Sequence, residues 1–182
     1  MKNESTVKYV ARLAITLLLI TAVVATGLAR VNAVTAPKIA TLNAQKTQNA
    51  IEAVLPGGGQ AIDFSDDSGM VSTVYQGQNG YAVEVTPSGF NGTVTMMVGV
   101  DASGKILGIS IVNHTETAGL GAVAAASTTA GSAFRDQFAG MSGSVSVKKD
   151  GGQVDALTGA TITSRAVCTG INAALDAVAK LG

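Results

Sequence analysis

The hydrophobic pattern begins with an apolar run close to the N-terminus. Seventeen uncharged residues, LAITLLLITAVVATGLA, lie between Arg12 and Arg30. At about 1.5 Å per residue, a helix of this length spans roughly 26 Å, slightly less than the hydrocarbon core of a bilayer. The two arginine side chains can extend toward opposite interfaces, which lengthens the usable span. We therefore predict a transmembrane anchor over residues 13–34.

Basic residues set the expected orientation of this anchor. Lys2, Lys8 and Arg12 precede the apolar run within a very short segment. Because positively charged flanks stay on the cytoplasmic side, residues 1–12 are predicted to be cytoplasmic and the rest of the chain exported. A cleaved signal peptide, with Val-Asn-Ala at 31–33 as its cleavage site, is the alternative. Both interpretations place the body of the protein outside the cytoplasm.

The exported part is predicted to start with a connecting helix within residues 35–60. Apolar residues recur at helical spacing from Pro37 to Leu55, and Pro-Gly-Gly-Gly at 56–59 ends the pattern. We expect the C-terminal part of this helix to pack on the core of the following domain.

Residues 61–182 are predicted to form one α+β domain. Strand-like runs with turn residues between them occupy 71–77, 80–87, 93–101, 105–114 and 144–149. Helical spacing occurs around 119–127, around 131–139 and from about 163 to 181. Partial alternation in the strands predicts an antiparallel sheet with one buried face, covered by one layer of helices.

Charge and composition narrow the classes of function. From residue 47 onward, six basic residues face eleven acidic ones, so the body lacks the basic surface of a nucleic-acid-binding domain. One cysteine excludes an internal disulfide and a cysteine-ligated cluster. One cysteine and one histidine also argue against a structural zinc site. Any redox chemistry here therefore needs an organic cofactor.

Three features are assigned to the scaffold. Met96 and Met97 are expected in the core, and Cys168 on the last helix is expected to be a small buried residue. Lys148-Lys149-Asp150 is interpreted as the solvated end of a strand.

The segment DALTGAT at 155–161 carries candidate chemistry, because it joins a predicted strand to the last helix with small and hydroxylated residues. Exposed amides and the positive end of a helix dipole favour a phosphate at such a point. Gly159 and Ala160 leave room for a bulky group, and Arg165 could add donors toward the phosphate. The alternative is that Thr158, Thr161 and Thr163 are ordinary helix caps.

This segment resembles the flavin-attachment signature of the FMN-binding domain shared by the G subunit of Rnf complexes and the C subunit of sodium-pumping NADH:quinone reductases. The resemblance implies that Thr161 holds FMN through a phosphoester bond. It implies that Asp155 helps a modifying transferase to engage, and that Thr158 and Gly159 shape the turn. The bond would be made by a separate magnesium-dependent flavin transferase that uses FAD.

A second segment, HTETAGLG at 114–121, is similar to the His-x-Glu-Thr-Pro-Gly-Leu-Gly loop of the same families, with Ala118 in place of proline. The resemblance implies that His114, Glu116 and Thr117 line the isoalloxazine site and that Leu120 packs on the ring. The alternative is that His114 is a hydrogen-bonded residue at a strand end and Glu116 caps the following helix.

The family resemblance implies an electron-transfer subunit of a membrane complex that couples ferredoxin and NAD redox chemistry to sodium or proton translocation. Its partners would be integral membrane and iron–sulfur subunits, and the flavin transferase would act during maturation. The chain is not expected to be an enzyme by itself, because it shows no paired acids, nucleophile triad or metal cage. Two alternatives stay open: a stand-alone tethered flavin domain that serves an extracellular acceptor, and a scaffold domain that never receives flavin.

Overall fold

The computed structural model describes residues 2–66 and 69–181, with side chains from residue 6 onward. The chain divides into two compact units, Met1–Gln45 and Lys46–Gly182. Helix α1 runs from Lys2 to Val54 with Pro37 inside it, so the residues of the predicted anchor and most of those of the predicted connecting helix belong to one helical element. Proline is tolerated because one missing amide removes only one hydrogen bond from a long helix.

The first unit has the properties expected of a membrane-spanning segment. Every side chain from Thr6 to Lys46 is exposed, and the helix is long and apolar enough to cross a bilayer, with a mean hydropathy of 2.1 in its most apolar stretch. The hydroxyls of Thr16, Thr21 and Thr26 donate to the carbonyl four residues earlier at 2.7–3.0 Å. These bonds satisfy the polar groups without water, as hydrocarbon surroundings require.

The second unit is built on an antiparallel meander of five strands in the order β1-β2-β3-β4-β5. Its strands are β1 Gln60–Ile62, β2 Val71–Gln76, β3 Gly80–Val85, β4 Val94–Asp101 and β5 Ile106–His114. The structure confirms the four predicted strands between residues 71 and 114. Strand β1 was not predicted, because three residues are too few to show a period of two.

One face of the sheet packs against helix α3, Thr161–Leu181. The strands contribute Val83, Met96 and Val98 to the hydrophobic core between them. The apolar stripe of α3 contributes Val167, Ile171 and Ala174 to the same core. Helix and sheet approach closely at Gly170, where an added Cβ would lie 2.7 Å from Met96 Cε. The predicted stripe on the last helix is therefore confirmed, as are the buried positions of Met96, Met97 and Cys168.

The opposite face of the sheet is covered as well, so the prediction of a single buried face is wrong. Ala50, Ile51, Val54 and Leu55, at and just after the end of α1, form a second apolar cluster with Ala82 and Met97. As expected, this end of the helix packs on the core. Gly99 on β4 makes the close approach possible, because an added Cβ there would overlap the backbone carbonyl of Val54. Both sheet faces are buried along β4 for this reason.

The remaining elements are short. Helix α2, Thr129–Asp136, is capped by the Thr128 hydroxyl, which accepts from the Gly131 amide at 3.2 Å. The predicted helix around 119–127 is a 3-10 helix, Gly121–Ala125. The predicted strand at 144–149 is wrong. Val145 exchanges both backbone hydrogen bonds with the Asn172 side chain, at 2.8 and 2.9 Å, and the 3-10 turn Lys148–Asp150 follows.

Two glycines that face each other in the sheet test the second packing layer. Gly99 is paired directly with Gly108 on β5, where an added Cβ would meet nothing within 4 Å. Gly99→Ala is expected to destabilise the domain by about 1–3 kcal/mol, because the methyl group must displace Val54, whereas Gly108→Ala is expected to be close to neutral. Urea unfolding of the full chain in detergent measures both, and equal midpoints for the two variants would contradict this packing.

Candidate functional site

The loop that enters helix α3 is a tight turn fixed by its own hydrogen bonds. The Ala160 amide donates to the Leu157 carbonyl at 3.0 Å, and Gly159 between them has φ +74°, which favours glycine. The Ser164 hydroxyl donates to the Ala160 carbonyl at 2.9 Å and accepts from the Leu157 amide at 3.0 Å. Helix α3 therefore begins at Thr161, two residues earlier than the sequence pattern predicted, with Thr161 in its first turn.

A cleft of about 420 Å³ opens beside this helix start and brings the two sequence motifs together. It is lined by residues 159–161 of the first motif and the following residues 162 and 163, by Glu116, Thr117, Leu120 and Gly121 of the second motif, and by Phe90 and Lys149. The motifs touch at Gly159, where an added Cβ would lie 3.0 Å from Leu120 Cδ2. Within the described residues, the Thr161 hydroxyl forms no hydrogen bond, so it is available to the cleft.

The carboxylate of Glu116 forms the polar floor of the cleft and is 8% exposed. Its Oε1 accepts from the amides of Phe90 and Asn91 at 2.9 and 3.0 Å, and its Oε2 accepts from the Thr163 hydroxyl in a short hydrogen bond. Burial raises the pKa of Glu116, but these donors and the charge of His114 outweigh it, so the pKa lies below its ordinary value. Glu116 is therefore an ionised, fully bonded group at neutral pH.

Large apolar side chains form the rim of the cleft. Outside α1, the described part of the chain exposes four such side chains: Phe90, Leu107, Leu120 and Ile162. Three of them line this cleft, with Phe90 68%, Leu120 45% and Ile162 48% exposed. Exposed apolar groups that converge on one concave site are typical of a place that binds an apolar ligand.

Lys149 supplies a positive charge to the cleft, contrary to its interpretation as a solvated strand end. It lies in the middle of the turn Lys148–Asp150, whose two ends are held by ion pairs. Lys148 contacts Asp155 at 2.7 Å, and Asp150 accepts two hydrogen bonds from Arg165 at 2.6 and 2.7 Å. The lysine between them forms no ion pair within residues 2–66 and 69–181.

Four predicted site residues lie beside the cleft instead of lining it. Arg165 is engaged with Asp150, and that hydrogen bond lowers the pKa of the Asp150 carboxyl. Asp155 and Thr158 line an adjoining groove of about 560 Å³ on the far side of Leu120. His114 ends β5, and its Nδ1 accepts from the Glu116 amide at 3.3 Å.

The other six predicted site residues line one cleft: Glu116, Thr117, Leu120, Gly159, Ala160 and Thr161. The predictions missed Phe90, Lys149 and the bond from Thr163 to Glu116. Phe90 had one signal, since a phenylalanine within the Gly-rich turn SGFNG is unusual in a chain with 4% aromatic residues. No feature of the sequence distinguished Lys149 as a site residue, because its neighbours Lys148 and Asp150 are charged as well.

These groups suit a phosphorylated, largely apolar ligand. The first amides of α3 have no acceptor within the helix and, with the Lys149 ammonium, favour an anion beside Thr161. The rim of Phe90, Leu120 and Ile162 offers apolar surface to a flat ring system. Flavin mononucleotide has both parts, a phosphate and a ring, so the donor set fits it.

Comparison with known proteins is consistent with a site for flavin mononucleotide. The FMN-binding domain family matches residues 89–176. The G subunit of the Na⁺-translocating ferredoxin:NAD⁺ oxidoreductase complex of Acetobacterium woodii is 34% identical over 96% of this chain and 94% of that protein. The G subunit of the ion-translocating oxidoreductase complex of Methanosarcina acetivorans is 32% identical over 94% of this chain and 95% of that protein. The corresponding protein of Photorhabdus laumondii is 33% identical over 85% of this chain and 83% of that protein. The chain therefore belongs to the family of G subunits of ion-translocating oxidoreductase complexes, the Rnf family.

Proposed function

We propose that this chain carries one FMN, bound covalently to Thr161, and passes electrons within an ion-translocating ferredoxin:NAD⁺ oxidoreductase complex. The observation that carries the proposal is the position of Thr161. Its hydroxyl has no partner among the described residues and lies in a cleft between a cationic side chain and an apolar rim. A structural helix cap would instead use that hydroxyl to bond the backbone of its own first turn.

Each part of the cleft has a role toward the cofactor. The amides at the start of α3 and the Lys149 ammonium would hold the phosphate beside Thr161. Phe90, Leu120 and Ile162 would contact the ring system, and the Thr117 hydroxyl could bond its polar edge. Flavin supplies the electron transfer when bound, while these residues position it and set its electrostatic surroundings.

Attachment requires a group transfer that the chain does not perform alone. The Thr161 Oγ–P bond would form as the pyrophosphate bond of FAD breaks, so that AMP leaves and the hydroxyl proton passes to solvent. A flavin transferase of the host would bind FAD and activate the hydroxyl. Asp155 and Thr158 belong to the same motif but line the adjoining groove, so they remain accessible to such an enzyme when the cleft is filled.

Covalent attachment is physically reasonable for an exported flavin. A non-covalent cofactor dissociates irreversibly where its free concentration is very low, whereas a phosphoester makes retention independent of affinity. The cleft can then stay open, as the exposed rim requires, and the ring can approach other redox centres. The N-terminal helix would keep the domain beside integral membrane and iron–sulfur subunits of the complex.

Replacement of Thr161 tests the attachment site. In a host that has the transferase, Thr161→Ala is expected to lose all covalent flavin while the fold is kept, because one half-buried helix-start residue changes. Intact-protein mass and in-gel flavin fluorescence after denaturation measure the loss. Thr169→Ala is the matched control, since its exposed hydroxyl on the same helix bonds only the Arg165 carbonyl. A fluorescent Thr161→Ala band, together with a dark Thr163→Ala band, would move the attachment to Thr163. A wild-type chain without flavin would leave only a scaffold domain.

Thiol labelling tests the predicted orientation. Burial raises the pKa of Cys168 to about 11, so the native thiol is expected to stay silent toward maleimides in the folded protein. Gln78→Cys, in the exposed turn between β2 and β3, is expected to react with a membrane-impermeant maleimide on intact cells or on spheroplasts. Ser5→Cys should react only after the membrane is broken. The opposite pattern would place the cleft in the cytoplasm.

A further inference from the structure

The Glu116 carboxylate joins three separate segments of the chain. It projects from the loop after β5, receives two amides from the turn between β3 and β4, and receives the Thr163 hydroxyl from α3. An ionised carboxylate has no donor of its own, so all three bonds must come from these neighbours. Bonds to a charged acceptor are also stronger than bonds between neutral groups.

Two glycines leave the space that this carboxylate occupies. A Cβ at Gly89 would overlap Glu116 Oε1, and a Cβ at Gly121 would overlap both Glu116 Oε2 and the Thr163 hydroxyl oxygen. Neither glycine has the positive φ that would otherwise explain it. The backbone on both sides is therefore shaped around the carboxylate.

The rim of the cleft is connected to the same group. Phe90 donates its own amide to Glu116, Ile162 precedes the Thr163 donor, and Leu120 precedes Gly121, which contacts the carboxylate. Each of the three exposed apolar side chains is thus at most one residue from an atom in contact with Glu116. Their exposure means that few packing contacts of their own hold them in place.

We infer that Glu116 is a positioning residue that holds Phe90, Leu120 and Ile162 at fixed separations across the cleft. The inference deepens the proposed function and rests on it, because the ligand positioned between these side chains would be the flavin ring. Glu116 acts through the rim and through Thr163, which distinguishes it from a residue that contacts the cofactor directly. For this positioning, the hydrogen bonds that the Glu116 side chain accepts matter most, and its negative charge matters less.

The ionised form of Glu116 also has a consequence for stability. Because the folded pKa is lowered from its ordinary value of 4.5, Glu116 stabilises the fold above that pH, and this contribution is lost as the pH falls through the folded pKa. Asp101 and Asp150, whose pKa values are lowered as well, add to the same acid dependence, while Lys149 lines the cleft with Glu116 and His114 accepts a hydrogen bond from the Glu116 amide. Urea midpoints between pH 7 and pH 3 should therefore fall less steeply for Glu116→Gln than for wild type.

Hydrogen–deuterium exchange of the flavin-free full chain tests positioning without the cofactor. Glu116→Ala should speed exchange of the Phe90 and Asn91 amides by roughly tenfold or more, because both lose a charged acceptor. Glu116→Gln should be intermediate, since its amide oxygen can still accept from both amides and its NH₂ group can donate to Thr163. Glu84→Gln is the matched control, because that half-buried carboxylate lies on β3 opposite Met97, on the sheet face that the end of α1 covers.

Iodide quenching of the attached flavin in the same variants tests the rim. Quenching should increase in the order wild type, Glu116→Gln, Glu116→Ala, with Glu84→Gln equal to wild type.

If Glu116→Ala does not fold, Thr163→Val removes one hydrogen bond to Glu116 at nearly constant side-chain volume and should raise quenching, whereas Thr163→Ser should restore the wild-type value. Wild-type exchange and quenching in Glu116→Ala would overturn the inference, and so would a glutamine variant as perturbed as the alanine one. A wild-type chain that never receives flavin would defeat the proposed function, while the exchange result would still decide the role of Glu116.

Discussion

A carboxylate that is buried away from water needs hydrogen-bond donors from the protein. The donors to Glu116 come from parts of the chain that are far apart in sequence. The amides of Phe90 and Asn91 and the hydroxyl of Thr163 converge on a side chain that is almost completely buried. An unmet charge in that position would be strongly unfavourable, so the three segments are held together as a condition of folding. The cleft exists between them because the carboxylate fixes where each one lies.

The sheet makes this convergence possible by offering two covered faces. Helix α3 packs on one face at Gly170, and the end of α1 packs on the other at Gly99. With both faces dry, the sheet is a rigid base from which the loops after β3 and β5 project toward the start of α3. The site therefore combines a stable platform with an open, apolar rim, which is the usual arrangement of binding loops on a scaffold.

Charge around the cleft is arranged by one short turn. Consecutive residues Lys148, Lys149 and Asp150 contact Asp155, the cleft and Arg165 respectively. The two flanking ion pairs are exposed and contribute little energy individually, but they tie both ends of the turn to neighbouring segments. Arg165, which the sequence suggested as a phosphate ligand, instead holds the turn that presents Lys149. Lys149, which the motif did not indicate, is the cationic residue of this turn that lines the cleft.

The sequence alone determined the features that depend on local pattern. The apolar run at 13–29, four of the strands, the stripe on the last helix and the small-residue turn before Thr161 follow from period, composition and turn chemistry, which depend on neighbouring residues alone. The strand predicted at 144–149 failed because Asn172, distant in sequence, takes the backbone bonds of Val145. Only the tertiary structure decided that Phe90 and Lys149 join the cleft, that Arg165 turns to Asp150, and that Thr163 bonds Glu116. Each of these depends on where a remote donor or acceptor lies, and no pattern along the chain records that distance.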